Sequence, residues 1–495
     1  MKNTYDLLIV GGGINGTAIA RDAAGRGLSV ILCEKDDLAN HTSSASTKLI
    51  HGGLRYLEYL EFKLVRESLI EREVLLRSAP HIIWPLRFIL PYEKGLRPAW
   101  LLRLGLFLYD NMGGRKLLPP TKTVNVHNSD RSGILKKHFK KGFEYSDCWV
   151  QDSRLVVLNA IDAYQRGAEI HTRAEVLNIS VSDNGYKADI VENGLSRTIN
   201  AKGIVNSAGP WVEEVLYKIK RSENTSGLRL VKGSHIVTKR LFEGDHAYIF
   251  QNADQRIIFA IPYEGDYTLI GTTDNPHEEG AGPAKISDEE ISYLCEAASE
   301  YFSKPVTKED VVWTYSGVRP LYDDQSENAS AVTRDYVLKI EELVEGAPFL
   351  SIYGGKITTS RKLAEHALEQ LSPYFKGETG AWTRSGSFPG GDIPNADFEH
   401  FYESLEQQYI DVPKNILRHL ARAYGTRIHK LMDVSGSDLG IMFGNILSET
   451  EVNYLVEEEW AKSADDILWR RTKLGLHMTE QERTKFKTWF DAVFL

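Results

Sequence analysis

The stretch GGGINGTAIA, residues 11–20, stands between an apolar run and a helical pattern. Residues 5–10 are apolar, rich in β-branched side chains and of strand length, and small apolar residues recur at helical spacing after the glycines. Gly11, Gly13 and Gly16 match the spacing G-x-G-x-x-G, in which bare backbone lets a pyrophosphate reach the unpaired N–H groups of a helix N-terminus. The order strand, tight turn and helix therefore predicts a dinucleotide-binding turn.

Two further features extend this prediction. Residues 28–32 read as a second strand that ends at Glu34, close to the spacing of an acid that accepts hydrogen bonds from a ribose hydroxyl. Residues 203–211, GIVNSAGPW, read as another strand that enters a turn of small residues. A late second turn of this kind is more typical of flavoproteins than of simple nicotinamide dehydrogenases, because FAD spans the sheet edge and needs several backbone contacts.

Length and composition limit the class of protein. The chain has 495 residues with 42% hydrophobic content, which is enough for large cores and for two or three domains. The net charge of −9 indicates no general binding of polyanions. Cys33, Cys148 and Cys295 are odd in number and scattered, which favours reduced thiols in the cytoplasm over a disulfide framework.

The N-terminal segment loosely imitates a secretory signal. Lys2, the apolar run and residues 18–20 resemble the charged, apolar and cleavage regions of such a signal, but Asp6 and Asn15 interrupt the run. No segment reaches the roughly 18 unbroken apolar residues of a spanning helix. We expect a protein that is made and kept on the cytoplasmic side.

A domain boundary is predicted at residues 385–394, SGSFPGGDIP, where Ser, Gly and Pro are concentrated. Helical patterns dominate the sequence after it, for example NILRHLARAYG and DDILWRRTKLGL. Before it, strand and helix patterns are mixed. We therefore expect a helical C-terminal domain over residues 395–495.

Longer motifs carry a resemblance to a known family. They are, in chain order, SSASTKLIHGGLRYLE (43–58), GFEYSDCWV (142–150), KGSHIV (232–237), IGTTD (270–274), WTYSGVRPL (313–321), TRDY (333–336), YGGKITTSRKLAEHAL (353–368) and DDILWRRTKLGL (465–476). Through these motifs the chain resembles the FAD-dependent, respiratory glycerol-3-phosphate dehydrogenases over almost its whole length.

The resemblance implies a mixed α/β (α+β) architecture. A Rossmann-like FAD-binding domain of the D-amino-acid-oxidase type would be combined with an antiparallel-sheet substrate domain and an all-helical C-terminal cap. Residues 1–390 would form the first two parts, with the FAD portions mainly at 1–80, 145–230 and 345–390 and the substrate portions at 81–144 and 231–344. Residues 395–495 would form the cap.

The implied activity is oxidation of sn-glycerol 3-phosphate to dihydroxyacetone phosphate, with hydride transfer from C2 to non-covalent FAD and electrons passed to a membrane quinone. Implied partners are the substrate, the quinone and an anionic lipid surface on the inner face of the membrane, with a homodimer as a further expectation. No metal or nucleic acid is implied. An oxygen-using glycerophosphate oxidase, an amine or amino-acid oxidase of the same fold, and a flavin-containing sensor or scaffold without turnover remain as alternatives.

The glycine turn and the resemblance together give a set of expected cofactor contacts. They are Gly11, Gly13, Ile14, Asn15, Gly16, Glu34, Lys35, Ser43, Ser44, Ser46, Thr47, Lys48, Leu49, Ile50, His51, Gly52, Val176, Ala208, Gly209, Trp211, Gly355, Lys356 and Thr358.

Four cations suit a phosphate dianion, since arginine forks and lysine point charges both bind phosphate. Arg55, Arg319, Arg334 and Lys356 lie inside matched motifs, although any single one of them could be a surface or salt-bridged cation. The resemblance places Arg319, Arg334 and Lys356 at the phosphate, with the hydroxyls of two further residues, Tyr56 and Thr272. It places Arg55 beside the reacting alcohol and makes Arg55 and Arg319 part of the catalytic set.

Removal of the alcohol proton needs a base, and His235 in KGSHIV is the candidate. The ordinary pKa of histidine, near 6.5, lies close to the working pH. A lone histidine in a strand is more often a satisfied core residue, so the matched motif carries this assignment. His51 competes for the role, but its place in LIHGG favours contact with the flavin.

Residues 82–116 mix apolar and aromatic side chains with six cations, among them Arg87, Arg97 and Arg103, in a chain that is acidic overall. Such a mixture is typical of a monotopic segment whose apolar side enters the acyl boundary while its cations meet anionic headgroups. The alternative is a core segment with a solvated basic face. The need to reach a quinone in the bilayer favours the membrane-docking interpretation.

Overall fold

The structure is a computed structural model that describes residues 3–93, 98–127, 133–220, 227–252, 254, 256–323, 335–376, 379–435 and 438–494. The strands are, in chain order, β1 (Thr4–Val10), β2 (Val30–Glu34), β3 (Leu49–Ile50), β4 (Ile83–Tyr92), β5 (Lys122–Asn125), β6 (Lys141–Val150), β7 (Glu169–Thr172), β8 (Ala174–Ser182), β9 (Gly185–Glu192), β10 (Leu195–Asn206), β11 (Leu228–Lys239), β12 (His246–Gln251), β13 (Ile257–Tyr263), β14 (Tyr267–Gly271), β15 (Asn275–Pro276), β16 (Val311–Tyr322), β17 (Val337–Val344), β18 (Ala347–Tyr353), β19 (Met442–Phe443) and β20 (Leu447–Ser448).

The helices are α1 (Ile14–Gly25), α2 (Phe62–Ser78), α3 (Ala99–Met112), α4 (Asp152–Gln165), α5 (Val212–Lys220), α6 (Asp288–Ser299), α7 (Ser360–Leu371), α8 (Phe398–Gln408), α9 (Lys414–Tyr424), α10 (Ile428–Ser435), α11 (Glu449–Glu459) and α12 (Glu480–Phe494). Short 3-10 turns at Leu54–Tyr59 and Ile357–Thr359 bear on the site described below. Arg334, one of the predicted phosphate-binding cations, lies outside the described residues.

The first sheet carries the glycine-rich turn. In the described residues it has eight strands, with the order β17-β18-β10-β1-β2-β7; β9 pairs with β10, and β8 pairs with β9. Strands β18, β10, β1, β2 and β7 run parallel. Leu7 and Ile9 pack with residues of α1 and α4 on one face, and Leu8 packs with residues of β8 and β9 on the other. Both faces of β1 are therefore covered, as its nearly continuous apolar sequence requires, and the predicted mixed α/β class is confirmed.

The turn between β1 and α1 needs glycine because backbone meets backbone there. A Cβ on Gly16 would lie 2.0 Å from the carbonyl oxygen of Gly11 and 2.5 Å from Oγ of Ser207. Gly11 has a φ of +111°, and a Cβ there would lie 2.6 Å from the Ser207 carbonyl oxygen. Gly16 thus seats α1 against β1 and the turn after β10.

The second sheet has ten strands in the part of the chain that the structure describes. Their order is β15-β11-β14-β13-β12-β4-β6-β3, with β16 paired to β11 and β5 paired to β6. Neighbours are antiparallel except for β12 and β4, which run parallel. The last strand in that order, β3, immediately precedes the LIHGG glycines, so the chain crosses here from the first sheet to the second.

The structure corrects the interpretation of residues 82–92 as part of a docking surface. They form β4, a central strand in which Phe88 and Ile89 are fully buried. Arg87 is mostly buried, and its Nε donates to Oε1 of Glu144 on the neighbouring strand at 2.8 Å. The apolar pattern of this stretch thus builds the core, which was the alternative interpretation. Arg97 lies outside the described residues.

Helix α3, in the second half of that segment, has an exposed apolar face. Trp100 and Phe107 are 68% and 62% exposed, and Leu101 and Leu104 lie beside them on the surface. The opposite face is buried through Leu106 and Tyr109. No helix among the described residues is long and apolar enough to cross a membrane.

The C-terminal helices have their own core and are joined to the first sheet by a buried carboxylate. Asp37, which follows β2, receives both NH groups of the Arg471 fork at 2.8 Å and Nε of Arg470 at 2.6 Å. Burial raises the pKa of Asp37, but the two guanidinium charges outweigh it and hold the pKa below its ordinary value. Arg173 reaches the same carboxylate at 3.6 Å. We call this group the Asp37 cluster.

The Asp37 cluster also explains a difference from the predicted helical pattern of DDILWRRTKLGL. The stretch forms a π-helical turn over Asp466–Arg471 and then a 3-10 turn over Leu474–Leu476, so it is not a regular α-helix. The Arg471 guanidinium also donates to the carbonyl of Glu459, at 2.7 Å. Because Arg471 must reach both Asp37 and the Glu459 carbonyl, the turn Asp466–Arg471 departs from α-helical geometry.

Candidate functional site

A cavity of about 400 Å³ opens at the carboxyl ends of β1, β2 and β10. Ligands bind at this edge of doubly wound sheets because the strand ends and helix N-termini converge there. Many of the predicted cofactor residues line the cavity, namely Gly11, Gly13, Ile14, Asn15, Glu34, Lys35, Ser43, Val176, Ala208, Gly209, Trp211 and Gly355. Sequence reasoning missed other lining residues, among them Asn40, His41, Thr42, Glu214 and Lys218.

The N-terminus of α1 and the turn at Gly355 form a cradle for an anion. The first turn of α1 carries no acidic side chain, so its positive end is not neutralised by the helix itself. Gly355 has a φ of +98°, and a Cβ there would lie 2.9 Å from Nδ2 of Asn15. Oδ1 of Asn15 is buried and has no hydrogen-bond partner among the described residues. A polar group of a ligand is the partner that this atom lacks.

Glu34 stands at the end of β2, as predicted, and its carboxylate organises the loop that follows. Oε2 accepts from the N–H of Gly12 at 2.7 Å, and Oε1 accepts from the N–H of Asp36 at 2.8 Å. Burial raises the pKa of Glu34, against the effect of these two bonds. Each oxygen retains a second lone pair, which suits acceptance from a ribose hydroxyl.

Aromatic and cationic groups close the same end of the cavity. The rings of His41 and Trp211 have centroids 4.5 Å apart, and Nζ of Lys35 lies 4.5 Å from the centroid of the Trp211 ring. Flat apolar surfaces beside polar tips are suited to a planar heterocycle. The contribution of His41 could not be read from its sequence neighbours, because only the fold places it opposite Trp211.

The other predicted cofactor residues do not line this cavity. They are Gly16, Ser44, Ser46, Thr47, Lys48, Leu49, Ile50, His51, Gly52, Lys356 and Thr358. Lys48 is buried in an ion pair with Asp152 at 2.8 Å, and Ser46 donates to the same carboxylate at 2.7 Å. These two side chains therefore anchor the segment and point into the protein.

Lys356 defines a second group of predicted residues. Its Nζ lies 4.0 Å from the centroid of the Tyr56 ring, is buried and has no hydrogen-bond partner in the described part of the chain. The N–H of His51 donates to Oγ1 of Thr358 at 3.3 Å. Burial lowers the pKa of His51 and outweighs the opposing charge of Asp147, and Lys356 and Arg72 add smaller lowering effects, so the ring is neutral. A buried ammonium without a hydrogen-bond partner among the described residues, beside one aromatic ring, needs an acceptor from a ligand.

A third group lies on β11 and β16 of the second sheet and in the turn between β14 and β15. The guanidinium of Arg319 donates to Oδ1 of Asp274 at 2.8 Å and approaches Oγ1 of Thr272 at 3.5 Å. A Cβ on Gly233 would lie 2.5 Å from the Arg319 guanidinium, so glycine makes room for the arginine. The Asp274 partner was missed, although it belongs to the quoted motif IGTTD. It fixes the plane of the fork while the arginine side chain remains 30% exposed.

His235 lies on β11 of the same sheet and is 1% exposed. Its Nε2 is 2.9 Å from Oγ1 of Thr47, and its ring stacks on Tyr315 with centroids 4.7 Å apart. Nδ1 is buried without a hydrogen-bond partner among the described residues. Burial, and then the charges of Arg319 and Lys48, lower the pKa of His235 well below its usual 6.5, which keeps the ring neutral.

The strand register joins the second and third groups. His235 pairs with Gly271, and Gly271 pairs on its other side with Phe259. The Phe259 ring contacts the His51 ring edge to face at 6.4 Å. The structure therefore links His51 to His235 through Phe259 and Gly271, and the Arg319 guanidinium lies over Gly233, two residues before His235 on β11.

Arg55 is the most peripheral of the predicted substrate residues that the structure describes. It lies in the 3-10 turn Leu54–Tyr59, where its guanidinium donates to the hydroxyl of Tyr59 at 3.2 Å. The bond is near the surface, so the side chain can reorient at small energetic cost. The contact gives no direct link between Arg55 and His235.

The chain matches two family models. The model "FAD dependent oxidoreductase" matches residues 6–361, and the model "C-terminal domain of alpha-glycerophosphate oxidase" matches residues 381–490. The second match includes helices α8 to α11 and most of α12.

Individual proteins match over nearly their full lengths. The chain is 51% identical to the D-erythritol 1-phosphate dehydrogenase of Brucella abortus, across 99% of this chain and 98% of that protein. It is 47% identical to the aerobic glycerol-3-phosphate dehydrogenase of Escherichia coli, across 98% and 97% of the two chains. The structure of the glycerol-3-phosphate dehydrogenase from Bacillus halodurans complexed with FAD superposes with a TM-score of 0.75 at 26% identity, covering 99% and 94% of the two chains.

Replacement of Gly355 by Ala tests the cradle. An alanine at this positive φ costs about 1–2 kcal/mol, and its Cβ would press on the Asn15 amide at 2.9 Å. We expect the dissociation constant for FAD to rise about tenfold or more, measured by fluorescence of the released flavin on dilution.

Gly346→Ala is the matched control. Gly346 also has a positive φ, +74°, but a Cβ there would meet nothing within 4 Å. It carries the same backbone strain in the hairpin between β17 and β18, away from the cavity. Equal FAD retention by the two variants would show that the strain at Gly355 does not act on the cofactor.

Proposed function

We propose, because the chain belongs to the FAD-dependent oxidoreductase family, that it is a flavoprotein dehydrogenase that oxidises sn-glycerol 3-phosphate to dihydroxyacetone phosphate. The observation that carries the proposal is the third group: a guanidinium fork and a neutral, buried histidine meet next to the crossing between the sheets. Relatives that bear the name glycerol-3-phosphate dehydrogenase match almost the whole chain, which supports this substrate.

The cradle residues fit FAD. Gly11, Gly13 and the first turn of α1 would receive the pyrophosphate, and Glu34 would accept from the ribose. Asn15 Oδ1, which has no partner among the described residues, would accept a hydrogen bond from the cofactor or substrate. Lys356 Nζ, likewise without a partner there, would donate one. When bound, FAD supplies the two-electron acceptor for the hydride that leaves the alcohol carbon.

Arg319 would hold the substrate phosphate. Thr272 would add a hydroxyl donor, and Lys356 a point charge above Tyr56. We assign Arg334 to the same clamp and Arg55 to the alcohol end on the strength of the family motifs alone.

His235 would take the alcohol proton as the hydride leaves. In the tautomer with a proton on Nε2, that nitrogen donates to the Thr47 hydroxyl, and Nδ1 carries the free lone pair. The buried environment keeps the ring neutral, which is the form that a base requires. Stacking on Tyr315 holds the ring plane.

A second substrate deserves a direct comparison because the Brucella abortus relative, at 51% identity, is named for D-erythritol 1-phosphate. Both substrates are phosphorylated polyols, so the clamp and the base suit both. They differ in chain length, which a pocket discriminates by contact and not by charge.

Anaerobic mixing of the oxidised enzyme with candidate substrates tests the proposal. Glycerol 3-phosphate should bleach the flavin band with a kcat/KM about tenfold or more above that of erythritol 1-phosphate, since one extra carbon unit costs 1–3 kcal/mol in a fitted pocket. Glycerol without phosphate should be about 30- to 1000-fold worse, because the charge-assisted contacts are lost. Faster reduction by erythritol 1-phosphate would transfer the assignment to that substrate, and reduction by an amino acid alone would overturn it.

Replacement of His235 by Asn tests the base. Flavin reduction in stopped flow should slow by about 100-fold or more while FAD stays bound. Because the pKa of His235 lies well below 6.5, the parent rate should be flat from pH 8 to pH 6.5 and fall only at more acidic pH, where the ring is protonated.

The control for this variant is His400→Asn, which alters a histidine whose side chain is 80% exposed on α8. An unchanged rate in the His235 variant would move the role to His51 or to water. A parent rate that already halves near pH 6.5 would show that a group of ordinary pKa limits the reaction.

We also assign a membrane quinone as electron acceptor and the inner face of the membrane as location. The exposed face of α3 supports this proposal, since Trp100, Leu104 and Phe107 form an apolar strip on a helix whose other face is buried. Leu60, after the 3-10 turn Leu54–Tyr59, is a further exposed apolar side chain, with 72% of it exposed. Lys116 follows the helix and is exposed, where it could meet an anionic headgroup.

Removal of the strip tests the docking surface. The triple variant Trp100→Ser, Leu104→Ser, Phe107→Ser should lose most of its cosedimentation with phosphatidylglycerol vesicles while it reduces its flavin with substrate at the parent rate. A matched triple variant changes three exposed apolar residues elsewhere, Leu195, Val493 and Ile410, to Ser. Equal binding by the two triple variants would place the docking surface elsewhere.

A further inference from the structure

The buried face of α3 is bonded to the segment that leads from β3 into the LIHGG glycines. The hydroxyl oxygen of Tyr109, on α3, accepts from the N–H of Gly52 at 2.7 Å. The same hydroxyl donates to the carboxylate of Asp147 on β6, at 2.8 and 2.9 Å to its two oxygens. Tyr109 is 2% exposed, so water does not substitute for these bonds.

The carboxylate is itself fixed. Asp147 is buried and receives NH1 of Arg72, from α2, at 2.6 Å. The Arg72 guanidinium also lies 5.6 Å from the centroid of the Tyr109 ring. Burial, and then the Asp147 charge, raise the pKa of Tyr109 well above its ordinary value, so the hydroxyl keeps the proton that it donates. The Tyr109 hydroxyl is therefore neutral and bonded to both Gly52 and Asp147, and these bonds set its orientation.

Packing leaves little freedom at this contact. A Cβ on Gly52 would lie 2.5 Å from Cδ2 of Leu69 and 2.8 Å from the Tyr109 ring. A Cβ on Gly113, just after α3, would lie 2.3 Å from Cβ of Leu69. Helix α3 thus lies directly against both α2 and the Gly52 backbone, and a shift of the helix must move Gly52 or break its hydrogen bond.

The segment His51–Gly52 is held on its other side by residues near Lys356. The N–H of His51 donates to Thr358, two residues after Lys356. The pairing of β3 with β6, Leu49 with Trp149 and Ile50 with Cys148, brings His51 next to Asp147 along the same register. His51 and Gly52 therefore sit between the Lys356 turn and Tyr109.

We propose that Tyr109 is a positioning residue for the flavin-side segment His51–Gly52, and that through it a displacement of the exposed face of α3 reaches the flavin. The inference rests on the proposed function in that His51 and Gly52 are taken to face the flavin. No residue of the clamp or the base is involved. Tyr109 would act through the Gly52 amide and not by touching substrate.

Tyr109→Phe is the direct test, because it keeps the ring and removes only the hydroxyl. The variant should bind FAD stoichiometrically, and its flavin reduction at saturating substrate should be at least fivefold slower, with the half-saturating substrate concentration within twofold of the parent. The equilibrium between enzyme flavin and a redox dye, set with dithionite, should shift by at least fivefold. That equilibrium needs no substrate, so it remains readable if the assigned substrate is wrong.

Tyr186→Phe is the matched control. It removes the hydroxyl of another buried tyrosine, which donates to the Ala347 carbonyl at 2.9 Å in the first sheet. Thermal unfolding measures the stability of both variants. The control therefore separates a general loss of stability from an effect on the flavin. Parent-like dye equilibrium and reduction rate in Tyr109→Phe, or equal changes in both variants, would overturn the proposal.

Phosphatidylglycerol vesicles test the link to the surface of α3. Vesicles should change the dye equilibrium of the parent at least twofold and leave that of Tyr109→Phe unchanged, although both proteins cosediment. An equal vesicle effect in both proteins, or no effect on a parent that cosediments, would overturn the link. A parent that does not cosediment would refute the docking surface, and with it the link between that surface and the flavin.

Discussion

The close approach of backbone to backbone where β1, β10 and α1 meet is the constraint on which the rest of the architecture depends. No side chain fits at Gly16 or Gly11, so the helix starts directly against the strand ends. This contact aims the unneutralised end of α1 at the cavity. It also brings the turn after β10 to the same edge, so two chain segments far apart in sequence share one ligand.

The reaction site depends on a second arrangement, the passage of the chain from one sheet to the other. Between Ser43 and Gly52 the backbone leaves the cavity, pairs as β3 with the second sheet and reaches the neighbourhood of Lys356. Ion pairing of Lys48 with Asp152 and contact of Thr47 with His235 fix this passage from both sides. A cofactor long enough to follow it would have one end in the cavity and the other beside the base.

The sequence was a good guide where chemistry is local and a poor one where it depends on distant partners. Spacing of glycines and strand-length apolar runs predicted β1, α1 and the acid at Glu34, because each rule acts within a few residues. The same rules could not separate an apolar surface segment from the central strand β4, since burial depends on β12 and β6. Nor could they find Asp274 beside Arg319, or His41 opposite Trp211, whose partners are supplied only by the fold.

The Asp37 cluster has a consequence for how each molecule is made. Asp37 emerges from the ribosome before its partners Arg470 and Arg471, which follow 433 and 434 residues later. Until they arrive, a carboxylate destined for burial has no adequate counter-charge, and burying it alone is costly. The loop after β2, which lines the nucleotide end of the cavity, therefore acquires its final form only after Arg470 and Arg471 have been synthesised, and stable capture of the cofactor has to wait for them.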